Sequence, residues 1–244
     1  MTRRLVGLAV VLGLSTLGLG RARADLLGPT PYLSFNDSPF VGQVFDYFHL
    51  EDFEGGALAT PGASATSGWT VGNPGALTDS VDADDGVIDG SGVAGHSFYS
   101  GFTNSTLTIT FDATALGGKL PTHAGIVWTD VGQVLSGDFA VGGVLFSAID
   151  GNGNSIGSIG PFTLGDGSAA GETAEDRFFG AISSLGIKSI TISMDNSLDW
   201  EVDHLQYGFS SPLAIPEPSS LLLTAIGLLT GGVWWRQSRV SRGG

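Results

Sequence analysis

The sequence predicts an all-β fold, an antiparallel two-sheet β-sandwich of jelly-roll-like type, preceded by a signal peptide and followed by a single transmembrane helix. Three observations carry the prediction. Short β-branched and aromatic runs are punctuated throughout by Gly, Asn, Asp and Pro, the composition of strands joined by turns. Leu107-Thr108-Ile109-Thr110-Phe111 and Ile187-Lys188-Ser189-Ile190-Thr191-Ile192 alternate apolar and polar residues, so each puts its apolar side chains on one sheet face. No amphipathic helix competes, because Gly167 and Gly171 weaken the nearest helical stretch, Ala169–Asp176.

Taken in order, residues 25–40 read as irregular, interrupted by Pro29, Pro31 and Pro39. Val44–Phe53 is the first strong strand, and a small-residue loop at 55–68 leads to a short strand at Trp69–Val71. An acidic loop fills 78–92. Further strands are expected at Ser97–Phe102, Thr106–Asp112, Ala124–Asp130, Phe139–Asp150, Ser155–Ile159, Arg177–Ser183, Ile187–Met194 and Trp200–Gly208. Asp150-Gly151-Asn152-Gly153-Asn154 suits a hairpin turn, since Gly and Asn accept positive φ. About ten strands without a sustained repeat favour a sandwich over a solenoid.

The two ends differ from this body. Arg3 and Arg4, an apolar stretch from Leu5 to Gly20 and the small-residue site Ala22-Arg23-Ala24 form a secretory signal pattern, with cleavage expected after Ala24. At the other end Ile215-Pro216-Glu217-Pro218 precedes an apolar run from Leu221 to Trp235 and a basic tail of Arg236, Arg239 and Arg242. The prolines keep the motif extended. The run is about long enough to enter a bilayer, though short of the roughly 20 residues preferred for a full span. The arginines would hold the last residues in the cytoplasm. The chain thus divides into a signal peptide (1–24), an exported domain (25–214) and a tail (215–244).

This tail, with Pro216, Glu217 and Pro218 ahead of an apolar helix and a basic end, resembles the PEP-CTERM sorting signal of exported bacterial proteins. Ile215 stands where valine is common, and the basic cluster is diluted to Arg-Gln-Ser-Arg. The resemblance implies signal peptidase and an exosortase as processing partners, cutting near Glu217, and a precursor held in the inner membrane before release to the surface or the exopolysaccharide matrix. Segments 124–130, 172–180 and 201–208 also resemble an ectodomain type that accompanies such tails, to which no activity attaches.

Charge narrows the partners of the exported domain. Seven of the ten Lys and Arg residues lie in the two ends, leaving Lys119, Arg177 and Lys188 against 23 carboxylates in residues 25–214, or 3 − 23 = −20. Such a surface repels phosphate backbones and anionic lipid, which argues against nucleic acid. With no cysteine, disulfides, thiolate metal sites and Cys nucleophiles are excluded.

Candidate chemistry is sparse. Asp82, Asp84, Asp85 and Asp89, with Asp79, crowd hard oxygen ligands onto a Gly-containing loop, the type of donor Ca²⁺ takes. The spacing fails the EF-hand pattern. A second calcium arrangement pairs an acid near the first core strand (Glu51, Asp52 or Glu54) with Asp203, as jelly-roll carbohydrate-binding domains often do. The cofactor these carboxylates suggest is structural Ca²⁺. The four histidines show no metal-binding spacing, and Asp203-His204 lacks a nucleophile elbow for a hydrolytic triad. Glu172, Glu175 and Asp176 beside Arg177 are better read as a salt-bridged loop than as a glycosidase pair. Among the tryptophans, Trp128 and Trp200 sit in strand patterns and belong in the core, whereas Trp69, flanked by Gly, is the candidate for stacking on a sugar ring. The expected function is a non-enzymatic surface or matrix protein that binds exopolysaccharide or serves structurally. The alternatives are a secreted glycoside-active enzyme and an adhesive or ice-binding surface.

Overall fold

A computed structural model describes residues 24–72, 80–81, 95–101, 104–129, 143–164, 175–195, 197 and 200–210. Among them are twelve strands and one 3₁₀ turn at Phe35–Asp37. In chain order the strands are β1 (Ala24–Pro31), β2 (Tyr47–Glu51), β3 (Ala63–Ala65), β4 (Trp69–Gly72), β5 (His96–Tyr99) and β6 (Thr106–Phe111). They continue as β7 (His123–Trp128), β8 (Gly143–Asp150), β9 (Ser155–Thr163), β10 (Arg177–Ser183), β11 (Ile187–Asp195) and β12 (Glu201–Phe209). The first sheet runs β1-β10-β7-β12-β5-β4, with β2 also on β12, and the second runs β3-β6-β11-β8-β9. Every pairing is antiparallel.

The strands expected from alternation are present to within a few residues. Residues 25–31 correct the expectation: they form β1, not irregular chain. The prolines are tolerated because β1 is an edge strand paired only with β10, where a missing N–H can face away from the ladder. The pairing also shifts register between Leu27 and Thr30, around Gly28 at φ +98°. β3 is an addition inside the small-residue loop.

The sheets close on one apolar core. Phe98, Ile126, Trp128, Phe179, Val202, Leu205 and Tyr207 from the first sheet meet Leu107, Ile109, Val144, Phe146, Ile190 and Ile192 from the second. Phe146 stacks on Phe179 at 5.8 Å, and the Trp128 indole N–H points at Met194 Sδ at 3.2 Å. Trp128 and Trp200 are fully buried, as their strand positions imply.

The faces pointing away from this core are unlike. On the second sheet the outer residues of β6 and β8 are half-exposed or exposed, so burial alternates along each strand. On the first sheet β7 is buried throughout and β12 nearly so. The cause is the segment after β1, which crosses the outer face before entering β2. Tyr32, Phe40, Val81, Val127 and Phe178 form a second apolar cluster there, with Phe45 and Phe48 against it. Phe178 lies over paired Gly125 and Gly180, which leave room for its ring.

Gly125→Ala should therefore be costly despite its size. Its Cβ would strike the Phe178 ring and the Phe179 carbonyl oxygen, and overpacking of that kind costs about 1–3 kcal/mol. Urea denaturation should show a lower midpoint at unchanged slope, and an unaltered midpoint would refute the close packing.

Candidate functional site

The polar residues of β12 are built around a bulge. Asp203 pairs with Val127 and Gln206 with Gly125, so two β12 residues stand opposite one of β7. His204 takes φ +43°, a left-handed conformation uncommon outside glycine. The bulge resets the alternation, and Val202, Leu205 and Tyr207 all reach the inner core while Asp203 and Gln206 face outward.

Outward here means into the covered layer. Tyr32 Oη lies 2.9 Å from His204 Nδ1 and accepts from Gln206 Nε2 at 2.9 Å. Ser38 Oγ donates to Gln206 Oε1. These bonds tie the crossing segment to β12 at two points. Asp203 holds a third element: its Oδ2 accepts from Ser80 Oγ at 3.1 Å and from the Val81 N–H at 3.0 Å, and its Oδ1 from the His204 N–H at 2.6 Å. Nearby, Ser97 Oγ donates to Glu201 Oε1.

This geometry bears on the chemistry considered from sequence. The Asp203 carboxylate meets the His204 backbone and not its ring, and Ser80 donates to the carboxylate and not to a histidine. That is an order of contacts different from a hydrolytic triad. A cation at Asp203 would have to displace the Val81 N–H. Glu54 is engaged elsewhere, its Oε2 3.1 Å from His96 Nδ1 and its Oε1 accepting the His96 N–H. Among the described residues, no group of three or more His, Asp or Glu side chains is placed to hold a metal ion. Asp82, Asp84, Asp85 and Asp89 lie outside the described residues.

So do Ala22, Pro216, Glu217, Pro218, Arg236, Arg239 and Arg242, whereas Ala24 opens β1. Among the described residues, no helix is long and apolar enough to cross a membrane. Glu175 and Asp176 are buried just before β10, and Arg177 Nη1 donates to the Asp176 carbonyl oxygen at 2.8 Å.

Among the described residues, two open surfaces bear on ligand binding. Trp69 is 54% exposed on edge strand β4. Tyr99 packs edge-on to it at 5.7 Å, and the Trp69 ring lies over Gly101, where a Cβ would collide with it. An indole so supported is a platform for a flat ligand face. The other surface is the outer face of the second sheet. There Ser64, Thr110 and Ser189 stand in one cross-strand row, and Thr108, Thr191, Ser147 and Ser158 in the next. Thr108 Oγ1 and Thr191 Oγ1 are 2.9 Å apart. The short run of threonines seen in sequence is extended sideways by strand pairing, a feature single-strand spacing did not reveal.

No protein-family model matches the chain, and no curated protein matches it. Its own geometry carries the functional reading.

Two outcomes test the covered layer. Tyr32→Phe leaves His204 and Gln206 each one bond short, which should lower unfolding free energy by about 1–3 kcal/mol, read by chemical denaturation. His123, bonded to Thr122 Oγ1 at 2.9 Å and set edge-on to Phe40 and Phe45, has its pKa lowered by burial. The unfolded chain then binds the proton first, so stability should fall as pH drops from about 6.5 toward the lowered folded value. Denaturation midpoints measured across that range should lose this component in His123→Phe.

Proposed function

We propose that the chain is an exported bacterial surface or matrix protein whose ectodomain is a non-catalytic, jelly-roll glycan-binding module. The strand order supports the jelly-roll reading: β2-β12-β7-β10 in one sheet and β6-β11-β8-β9 in the other is the order two interlocked Greek keys produce. Sorting rests on the sequence of the ends. The signal pattern ending at Ala24 and the tail bearing Pro216, Glu217 and Pro218 resemble the export and PEP-CTERM signals read by signal peptidase and an exosortase.

Trp69 carries the binding reading. It is an exposed indole braced by Tyr99, in a domain whose net charge favours neutral ligands over anionic ones. A sugar ring stacked on Trp69 would gain apolar contact without meeting a charge. Calcium, if it is a component, belongs to the loop of Asp82, Asp84, Asp85 and Asp89, since Glu54 and Asp203 already serve other donors. The hydroxyl rows on the second sheet favour a second reading, an adhesive face that orders water or packs on a polysaccharide sheet.

Full chain produced in an exosortase-bearing host should lose mass at both ends, near Ala24 and near Glu217. Replacing Pro216 and Pro218 by Ala should leave the tail attached. Binding of the released protein to neutral polysaccharide should drop by about tenfold in Trp69→Ala, since an aromatic stacking contact is worth about 0.5–1.5 kcal/mol beyond the apolar area it buries. Equal binding by both proteins would remove Trp69 from the site and turn attention to the hydroxyl face.

A further inference from the structure

We infer that one end of the sandwich is a membrane-apposed face, centred on the loop Phe40–Phe45, which rests on the bilayer while the tail is attached. The inference deepens the sorting proposal and rests on its reading of residues 221–235 as bilayer-entering.

Both ends of the described domain emerge on the same side. Ala24 pairs with Ser183, Ile182 with His123, His123 with Gly208, and Phe209 with Tyr47. Ala24 and Phe209 are thus three strand spacings apart across one sheet, about 14–15 Å. The chain from Ser210 to Leu221 spans eleven residues, at most about 40 Å when fully extended. The exit points place this end of the sandwich nearest the tail's entry into the membrane.

The side chains at that end are unlike the rest of the acidic surface. Five large apolar residues are exposed among those described, and three of them lie here: Val41, Val44 and Leu185, with Val44 87% exposed. Asp46, two residues after Val44, donates its N–H to the Phe209 carbonyl oxygen, and Leu185 sits in the turn after Ser183. Behind the loop, Phe35, Phe40, Phe45 and Phe48 line an open cavity of about 300 Å³. Two of the domain's three cations are also here. Lys119 is 62% exposed, 4.0 Å from Asp46 and over the Phe209 ring at 5.0 Å, and Lys188 follows Ile187, whose N–H bonds Pro121. Among the described residues, the carboxylates at this end are Asp25, Asp46, Asp112 and Asp150. Asp46 faces Lys119, Asp112 accepts from the Thr114 N–H, and Asp150 is occupied by Asn152 and Asn154. Exposed apolar side chains flanked by two lysines match the boundary between acyl chains and headgroups, and they make this end the local exception on a surface whose net charge otherwise repels anionic lipid.

The chain has no cysteine, so Val44→Cys supplies a unique thiol at a site too exposed to disturb the core. Thr106→Cys, at the far end where β6 begins, is the reference. Full chains carrying an environment-sensitive fluorophore are reconstituted into phosphatidylglycerol–phosphatidylethanolamine vesicles with nitroxide-labelled lipid. The expected result is blue-shifted emission and strong quenching at position 44, neither at position 106, and weaker quenching at 44 when Lys119→Glu and Lys188→Glu are added. Vesicle-bound protein with both labels equally aqueous would overturn the inference while leaving the tail's role intact. Protein that fails to sediment with the vesicles would overturn both.

Discussion

The structure depends on burying the outer face of its first sheet. A two-sheet sandwich needs only one apolar face per sheet, and the second sheet obeys that economy, with burial alternating along β6 and β8. The first sheet does not. Its outer face carries Glu201, Asp203 and Gln206, groups that are costly to desolvate, and yet all are fully buried. They can be so because every one finds a partner: Tyr32 and Ser38 from the crossing segment and Ser80 and Val81 from the start of the acidic loop arrive from outside the sheet, and Ser97 comes from the neighbouring strand β5. Remove the cover and the same residues would make an ordinary solvated face.

The bulge at His204 is what reconciles this layer with the core. Without an inserted residue, alternation from Val202 would send Leu205 and Tyr207 outward and Gln206 into the apolar interior. One left-handed residue, at a cost of about 1–2 kcal/mol, keeps both sets on their proper sides. His204 recovers part of that cost through its contact with Tyr32. Burial raises the Tyr207 hydroxyl pKa on the inner side, where that group is bonded to Thr60 Oγ1 at 2.7 Å and to the Pro61 carbonyl oxygen. The strand therefore clamps three non-adjacent stretches of chain, which explains why so polar a segment runs through the middle of the sheet.

Legibility from sequence divides along the same line. Strands that bury one face announced themselves by period two, as β6 and β11 did, and Trp128 and Trp200 followed from their strand contexts. The edge strand β1 was hidden because proline is a poor strand former except at an edge, and edge position is a tertiary fact. The charge of Asp203 suggests a cation shared with Glu54, whereas its donors Ser80 and Val81 are more than 120 residues away. The spacing Val202, Leu205, Tyr207 does carry a trace of the bulge, three residues and then two. That trace becomes readable only when both neighbours are known to point inward. Trp69 was legible because glycine on one side and a short strand on the other left it no core to enter.

The asymmetry between sheets also orders the possible functions. A sheet whose outer face is sealed by its own chain cannot offer that face to a ligand, so recognition must use what the seal leaves free. Among the described residues those surfaces are the hydroxyl rows of the second sheet, the Trp69 edge, and the end where Val44 and Lys119 stand beside the two chain exits. They point in different directions. A protein held to a membrane by the last of these would keep Trp69 at the far end, where β4 meets Tyr99 and Tyr99 meets Glu201 at the start of β12. Attachment and binding would then occupy opposite poles, and neither would have to yield when the other is engaged.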